Sequence, residues 1–166
     1  MASRPLSREG GAGRRYARAL SPDDGAALAS IDAAYAEEHG LEPALTPGSL
    51  SFYARSGHAF VACLDDAPQG FALAQAVWDG ARPVLQASRL AAAGDAPAEV
   101  AALLLEALTR SAYDAAVYDL KLLVPETDER TRTALHAQGF RLERLLAYGR
   151  TLGSRGRKAS EDERSE

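Results

Sequence analysis

The sequence predicts a mixed α/β domain with the element order β-αα-βββ-α-β-α-β. Helix-capping signals at Ser21 and Thr46, three strand-like segments between His58 and Leu90, and an amphipathic stripe after Asp95 support this order. Consecutive strands joined by short turns favour an antiparallel meander, and the later β-α-β order favours a crossover connection. We therefore expect one mixed sheet with helices packed on it.

A short strand at Arg15–Leu20 precedes two helices. Ser21 begins a Ser-x-x-Asp capping box with proline in the first turn, and the helix should end at Gly40. Thr46 caps the second helix, again with proline at the first position, and Gly57 ends it. These signals place both helices before the three-strand meander.

The meander consists of His58–Leu64, Gly70–Trp78 and Pro83–Leu90. The first of these is an almost continuous apolar run, which is typical of a strand covered on both faces. Acidic residues and proline make Asp65–Gln69 a turn, and Asp79-Gly80 is a strong hairpin signal.

The longest helix follows the meander. Asp95 or Ala96 should cap it, apolar residues recur at i, i+3, i+4, i+7 and i+8, and it should end near Tyr113–Ala116. The remaining elements are a strand at Tyr118–Val124, a helix at Asp128–Gln138 and a final strand at Leu142–Leu152.

Length and composition indicate one ordinary globular domain. The chain has 166 residues, of which 46% are hydrophobic and 25% charged. The ends at 1–13 and 154–166 carry few apolar side chains, so we expect two disordered tails around a domain at 14–153. No apolar run is long enough to span a membrane, and Met1–Arg15 has no signal-peptide core, which predicts a cytoplasmic protein.

Charge and side-chain chemistry exclude several functions. The net charge is −4, and it becomes −7 for Tyr16–Gly153 once the +3 of the first fifteen residues is set aside, which argues against nucleic-acid binding. The single cysteine, Cys63, excludes an internal disulfide and a cysteine-type zinc site. The histidines His39, His58 and His136 show no metal-ligand spacing, so no metal is expected.

Several stretches resemble the GNAT N-acetyltransferases. His58-Ala-Phe-Val-Ala-Cys-Leu, an acidic turn and Gln69-Gly-Phe-Ala-Leu resemble the family's second and third strands. Glu126 to Phe140, which ends in Gly-Phe, resembles its late helix, and the likeness covers residues 15–152. It implies a GNAT-like sheet and transfer of an acetyl group from acetyl-CoA to a small-molecule or peptide amine. The chain departs from the family after Phe140, where the C-terminal strand region is shortened.

The resemblance also implies where acetyl-CoA lies. In the family the fourth and fifth strands diverge, the pantetheine arm uses the freed backbone groups, and the pyrophosphate sits on amides at the start of the next helix. The corresponding candidate residues in this chain form one run from the strand end to the helix start: Leu90, Ala91, Ala92, Ala93, Gly94, Asp95, Ala96, Ala98, Glu99, Val100 and Ala101.

The chain departs from the family pattern in this run. The family's phosphate loop usually reads Gln/Arg-x-x-Gly-x-Gly/Ala, and the leucines of the helix align Ala96, Glu99 and Ala101 with its specified positions. Only Ala101 fits. Glu99 would repel phosphate, although an acidic residue at a helix N-terminus is also an ordinary favourable partner of the helix dipole.

The catalytic residue is left open. The family's Tyr, which protonates the leaving thiolate, corresponds to Leu135, and a common Asn corresponds to Asp128. Leucine cannot act as an acid. Tyr148 and Glu126 are substitutes, but a half-buried strand aromatic and a helix N-terminal acid are the favoured interpretations of them. A GNAT-like module without turnover, which binds acyl-CoA or only a partner, therefore remains the alternative.

Acidic residues and one histidine follow the first helix, where family members often contact the acceptor. These are Glu37, Glu38, His39 and Glu42, and a solvated acidic surface is the favoured interpretation. Trp78 could line a cleft, but we favour a role in capping the end of the sheet. The sequence leaves both a monomer and a homodimer possible.

Overall fold

The computed structural model describes residues 13–152. Within them one five-stranded sheet carries helices on both faces. A 3-10 turn at Pro22–Asp24 precedes the first helix. The elements are β1 Arg15–Ala19, α1 Gly25–His39, α2 Pro47–Ser56, β2 Ala59–Leu64, β3 Ala67–Trp78, β4 Pro83–Ala92, α3 Glu99–Asp114, β5 Leu120–Leu122 and α4 Glu129–Ala137.

The sheet confirms the predicted fold class. The strands lie in the order β1-β2-β3-β4-β5, with antiparallel pairs up to β4 and a parallel pair between β4 and β5. Because α3 makes the crossover from β4 to β5, the sheet is mixed, as the order of elements predicted.

Side chains alternate between the two faces of the sheet. Val61 and Leu73 point into a cluster with Leu28 of α1, whereas Ala62 and Ala72 belong to the cluster under α3. The period of two along each strand produces these two cores.

The predicted helix signals act as expected. The Ser21 capping box is present, although it closes the 3-10 turn and α1 begins only at Gly25. Thr46 and Ser49 form a second reciprocal box at the start of α2. Gly40 ends α1 at φ +63°, in the left-handed region that glycine adopts at low cost.

The cap of α3 differs from the prediction. Neither Asp95 nor Ala96 caps it: the N-cap is Ala98, which offers no side-chain hydrogen bond. The chain turns at Gly94–Asp95, and the side chain of Ala96 is buried in the core under α3.

The predicted final strand at Leu142–Leu152 is wrong for this structure. That stretch has no regular structure and is exposed throughout. A strand needs a neighbour, and nothing among the described residues pairs with it. β5 is also shorter than the predicted Tyr118–Val124, because β4 pairs with only three of its residues.

The predicted tails at 1–13 and 154–166 lie outside the described residues, apart from Gly13, so the domain limits stay a prediction. In the part of the chain that is described, none of the helices combines the length and apolar character needed to cross a membrane.

Candidate functional site

The strands β4 and β5 diverge in the middle of β4. They pair only from Leu85 to Ala87, and the last bond between them runs from Leu123 N–H to the Ala87 carbonyl at 3.0 Å. β4 then continues to Ala92 without a neighbour on that side among residues 13–152. The result is a V-shaped gap that opens toward the start of α3.

A β-bulge lies where the gap begins. Leu73 of β3 faces Arg89 and Ala74 faces Ala87, so Ser88 is the extra residue. A bulge reverses which residues face each side of a strand. Beyond it, Ala93 N–H bonds to the Gln69 carbonyl on the β3 side. Alternation along the strand then directs the backbone groups of Leu90 and Ala92 into the gap.

Gly70 allows β3, β4 and α3 to approach closely beside the gap. A Cβ atom at this position would lie 2.7 Å from the Ala91 carbonyl oxygen and 2.8 Å from Val100 Cγ1. Any side chain would therefore separate β4 from β3 or lift α3 off the sheet. This packing fixes the direction in which β4 leads into the loop before α3.

The remaining candidate residues form that loop and the start of α3. The side chains of Ala96, Val100 and Ala101 are buried, so only their backbone can face a ligand. Gly94 is open, with no atom within 4 Å of a Cβ placed on it. The Glu99 side chain is exposed at the first turn of the helix.

Two arginines from distant parts of the chain flank this loop. The Arg130 guanidinium of α4 donates to the carbonyls of Ala93 at 3.0 Å and Gly94 at 2.9 Å, so the side chain crosses the mouth of the gap. Arg15 of β1 pairs with Glu99 at 3.0 Å. The loop sequence itself carries no basic residue, but the fold places two beside it.

A cleft of about 180 Å³ lies next to the mouth of the gap, between the end of α1 and the start of α4. Its lining combines the end of β4 with polar side chains of both helices: Tyr35, Glu38, His39, Ala92, Gly94, Thr127, Asp128, Glu129, Arg130 and Thr131.

Tyr35 and Asp128 form the buried centre of this cleft. The Tyr35 hydroxyl donates to Asp128 Oδ2 at 2.6 Å, and Thr131 N–H donates to Asp128 Oδ1 at 2.9 Å. Burial and the nearby carboxylate raise the pKa of Tyr35. Burial opposes ionisation of Asp128, but these hydrogen bonds outweigh it and lower the pKa of the carboxyl.

A second polar cluster holds the loop between α1 and α2. Asp32 is 1% exposed and accepts hydrogen bonds from Ala44 N–H at 2.6 Å and Leu45 N–H at 2.8 Å. Arg89 of β4 lies 3.4 Å from Asp32, donates to the Glu42 carbonyl and covers the Tyr35 ring. This arginine therefore links the strand beside the gap to the wall of the cleft.

The predicted acceptor residues divide between cleft and surface. Glu38 and His39 line the cleft, and His39 Nδ1 lies 2.8 Å from Thr127 Oγ1. Glu37 is an exposed residue near the end of α1. Trp78 is 69% exposed at the β3–β4 hairpin.

The catalytic candidates do not assemble into a site. Leu135 packs against the core under α3. Tyr148 is 91% exposed and outside any strand, so its interpretation as a half-buried strand aromatic is wrong. Glu126 is exposed in the turn before α4, which Asp128 caps.

Of the groups that the sequence excluded as metal ligands, Cys63 and His58 are not among the residues that line the cleft, whereas His39 is. Cys63 is buried, and His58 bonds to Ser111 of α3. Residues 13–152 contain no cluster of three or more His, Cys, Asp or Glu side chains suited to a metal.

Comparison with known proteins agrees with this architecture. The family described as "Protein of unknown function (DUF1999)" matches residues 18–165. The wild-type protein TTHA1254 from Thermus thermophilus is 36% identical, with 83% of this chain and 98% of that chain covered and a TM-score of 0.68. No curated protein sequence matches the chain.

More distant structures share the fold. Aminoglycoside N-acetyltransferase AAC(6')-Iy in complex with CoA is 16% identical, with 84% of this chain and 97% of that chain covered and a TM-score of 0.68. A ribosomal-protein-alanine N-acetyltransferase from Brucella melitensis biovar Abortus 2308 is 18% identical, with 84% and 100% covered and a TM-score of 0.66. Such identities establish the fold alone. The chain therefore belongs to the DUF1999 family, and it has the fold of the GNAT N-acetyltransferases.

Proposed function

We propose that this protein is an N-acyltransferase that binds acetyl-CoA in the gap between β4 and β5 and transfers the acetyl group to an amine. The observation that carries the proposal is the divergence of the two strands at Ala87, with the backbone groups of Leu90 and Ala92 directed into the gap. The proposed binding residues are those of the run from Leu90 to Ala101 predicted above.

The residues present fit such a ligand. Pantetheine carries amide groups, and strand edges recognise amides through backbone hydrogen bonds. The N-terminal end of α3 favours an anion, although the N–H of Val100 in its first turn already bonds to the Pro97 carbonyl, and Gly94 leaves space in front of the helix. Arg15 offsets the charge of Glu99, and Arg130 is within reach of the loop.

The reaction requires mainly that the amine is held close to the thioester and that the thioester carbonyl is polarised. The amine nitrogen attacks the thioester carbonyl, the C–N bond forms, the C–S bond breaks, and the thiolate leaves with the electron pair and takes up a proton while the nitrogen loses one. Backbone N–H groups of β4 would stabilise the developing oxyanion. The carboxylates of the cleft, Glu38, Asp128 and Glu129, favour an acceptor that approaches as an ammonium cation, which releases a proton to water before its nitrogen attacks.

A binding module without turnover is the second candidate function. The observation that favours it is Leu135, which packs into the core where the family's acidic Tyr would stand. Tyr35 is the tyrosine that lines the cleft, and its proton is already committed to Asp128. The two candidates share the ligand and differ only in whether acetyl transfer follows.

Ligand binding is tested first, by the effect of acetyl-CoA and CoA on thermal unfolding. A ligand present at about 100 times its Kd adds about 2.7 kcal/mol to the stability of the folded state. The proposal predicts such a shift, and no shift at millimolar acetyl-CoA would eliminate both candidates. Turnover is then measured as thiol release over a panel of amines; the buried Cys63 keeps the protein's own thiol out of the assay.

Substitutions of the charged residues beside the loop give a sharper test. Arg130→Ala should weaken CoA binding about tenfold, because one charged hydrogen-bond donor is lost. Glu99→Gln should strengthen it, since a repelling charge is removed and Arg15 is released. Arg132→Ala is the matched control, because Arg132 lies on the same helix but pairs with Glu129. Tighter binding by Arg130→Ala would show that this side chain obstructs the gap and would contradict the assignment.

A further inference from the structure

Two hydroxyl groups from different elements meet at the point where β4 and β5 diverge. Ser88 is the extra residue of the bulge in β4, and its Oγ lies 2.7 Å from the hydroxyl oxygen of Tyr53 in α2. The Ser88 hydroxyl also donates to the Leu73 carbonyl of β3 at 3.4 Å. A hydroxyl has one proton to donate, so Ser88 accepts at the other contact and the Tyr53 O–H is the donor. We refer to Tyr53 and Ser88 as the hydroxyl pair.

The hydroxyl pair can be reached by a ligand, although it lies against a central strand. β4 has β3 on one side, and α1 and α2 cover the face of the sheet on which Tyr53 packs. The nearby Ala87, Leu90 and Ala91 are buried, whereas Ser88 is exposed. Ser88 directly follows Ala87, the last residue of β4 that pairs with β5, so this exposure occurs at the closed end of the gap.

The direction of the proposed ligand brings its reactive end to this point. In the proposed function, the pyrophosphate lies at Gly94 and the start of α3, and the pantetheine arm follows Ala92 and Leu90 along β4. The thioester is at the other end of that arm. The strand from Ala92 back to Ser88 is about 13 Å long, a distance that an extended pantetheine arm covers. The thioester therefore comes to lie beside the hydroxyl pair.

We propose, as an inference that rests on the proposed function, that Tyr53 is the catalytic residue that protonates the leaving thiolate and that Ser88 is its positioning residue. When the C–S bond breaks, the sulfur keeps the electron pair and takes the proton of the Tyr53 hydroxyl. The phenolate oxygen then takes a proton from water, and the proton that the attacking nitrogen loses passes to water. The step needs no further reactant.

The hydrogen bonds of the two buried or half-buried tyrosines near the gap favour Tyr53 over Tyr35. The Tyr35 hydroxyl donates to the carboxylate of Asp128, and such a charge-assisted bond is roughly twice as strong as one between neutral groups. Tyr53 donates to the neutral hydroxyl of Ser88. Tyr53 therefore releases its proton to a developing thiolate more readily than Tyr35 does.

The assignment places the acid on the opposite face of the sheet from Leu135. Leu135 packs against the core under α3, whereas Tyr53 packs against the cluster that includes side chains of α1 and α2. A proton donor on α2 allows acetyl transfer even though leucine occupies the position of the family's Tyr.

Ligand affinities test the position of the hydroxyl pair without an acceptor amine. Calorimetric titration of the full-length protein compares CoA with desulfo-CoA, in which hydrogen replaces the thiol. A hydrogen bond between Tyr53 and the sulfur strengthens the binding of CoA alone, so Tyr53→Phe should reduce the affinity of CoA relative to desulfo-CoA about fivefold. Tyr113→Phe is the matched control, because it removes a hydroxyl from an exposed side chain of α3, and it should leave the relative affinity unchanged.

The titration separates this assignment from the proposed function. If the wild type binds neither ligand, the acyl-CoA site itself is wrong, and the assignment is lost with it. If the wild type binds both ligands and Tyr53→Phe leaves their relative affinity unchanged, the acyl-CoA site stands but the sulfur does not lie beside Tyr53. The assignment is then overturned by itself.

Kinetics test the proton transfer. With an amine that the wild type acetylates, Tyr53→Phe should lower kcat about 100-fold and leave KM for acetyl-CoA within about twofold, because the proton is needed only as the C–S bond breaks. Ser88→Ala should lower kcat about tenfold at the same KM, since Tyr53 keeps its proton but loses the group that directs it. A merely structural role would change KM and Tm together with kcat.

Two kinetic results would overturn the assignment. Wild-type kcat in Tyr53→Phe would mean that another group or water protonates the thiolate. A protein that binds acetyl-CoA but acetylates no amine of the panel has no leaving thiolate for Tyr53 to protonate.

Discussion

The two faces of the sheet hold their helices in different ways. On the α3 face the buried side chains are aliphatic, with Leu104, Leu105 and Leu108 all 0% exposed. On the α1 face the core includes the buried carboxylate of Asp32, and the Tyr35–Asp128 bond joins α1 to α4. Helix packing on the first face depends on how well apolar side chains fill the space. Helix packing on the second face depends on specific hydrogen-bond and ion-pair partners.

The difference follows the position of the cleft. The aliphatic face fixes α3 and therefore the loop at the mouth of the gap. The polar face fixes the α1–α2 loop and the start of α4, both of which border the cleft. Hydrogen bonds define direction as well as distance, so they suit the side of the molecule where a substrate must be oriented. Substitutions on the two faces should differ accordingly.

The largest effect is expected on the aliphatic face. Leu104→Ala leaves a cavity beneath α3 and should lower the free energy of unfolding by about 4 kcal/mol. Urea denaturation measures it. The same change at the neighbouring, partly buried Leu103 is the control and should cost less than half as much. Equal losses would show that α3 is not held by the packing described.

On the polar face, Asp32→Ala should cost about 3 kcal/mol, because it leaves the largely buried Arg89 without its carboxylate partner and two backbone N–H groups unsatisfied. Asp32→Asn keeps an acceptor and should cost less. Asp119→Ala breaks a more exposed pair with Arg82 and should cost below about 1 kcal/mol. If Asp32→Ala and Asp119→Ala had equal effects in urea denaturation, the buried cluster would not stabilise the loop.

Local signals predicted the order and most limits of the elements. Ser21 and Thr46 cap where their side chains indicate, and Asp79 folds back on the amides of Ala81 and Arg82 at the predicted hairpin. Each of these signals depends on residues within four positions of one another. Propensity and spacing are sufficient for such features.

The site depended on contacts that the sequence does not display. Arg130 reaches a loop 36 residues earlier, and Arg15 reaches Glu99 across 84 residues. Asp32 did carry a signal, since it stands between Leu28 and Tyr35 on the apolar face of α1. A charged residue in that register requires a buried partner. The final strand failed because a strand is defined by its neighbour.

A smaller effect, with a pH dependence, is expected from the link between α1 and α4. Tyr35→Phe removes a donor to ionised Asp128 and should cost about 1.5 kcal/mol at neutral pH. Because the folded-state pKa of Asp128 is lowered, its stabilisation is present above the unfolded value of about 3.9 and is lost as pH falls through the folded value. The variant and the wild type should therefore converge in acid.

Unfolding free energies at a series of pH values check this prediction. Tyr53→Phe is the control, because it also removes a hydroxyl but one that bonds to Ser88 instead of a carboxylate. Its effect should not depend on pH in the acid range. A difference for Tyr35→Phe that stays constant down to low pH would show that Asp128 is not the group that titrates.

The smallest effect is expected for an ion pair that is exposed to solvent. Glu106 and Arg110 form an i,i+4 pair on the outer side of α3, 2.9 Å apart, with both side chains more than half exposed. Water screens the pair, so Glu106→Gln should cost about 0.3 kcal/mol, and high salt should abolish the difference. Urea denaturation at two salt concentrations measures it. A loss of unfolding free energy as large as that of Asp32→Ala would mean that ion pairs stabilise the protein irrespective of burial. The difference between the aliphatic and polar faces would then need another cause.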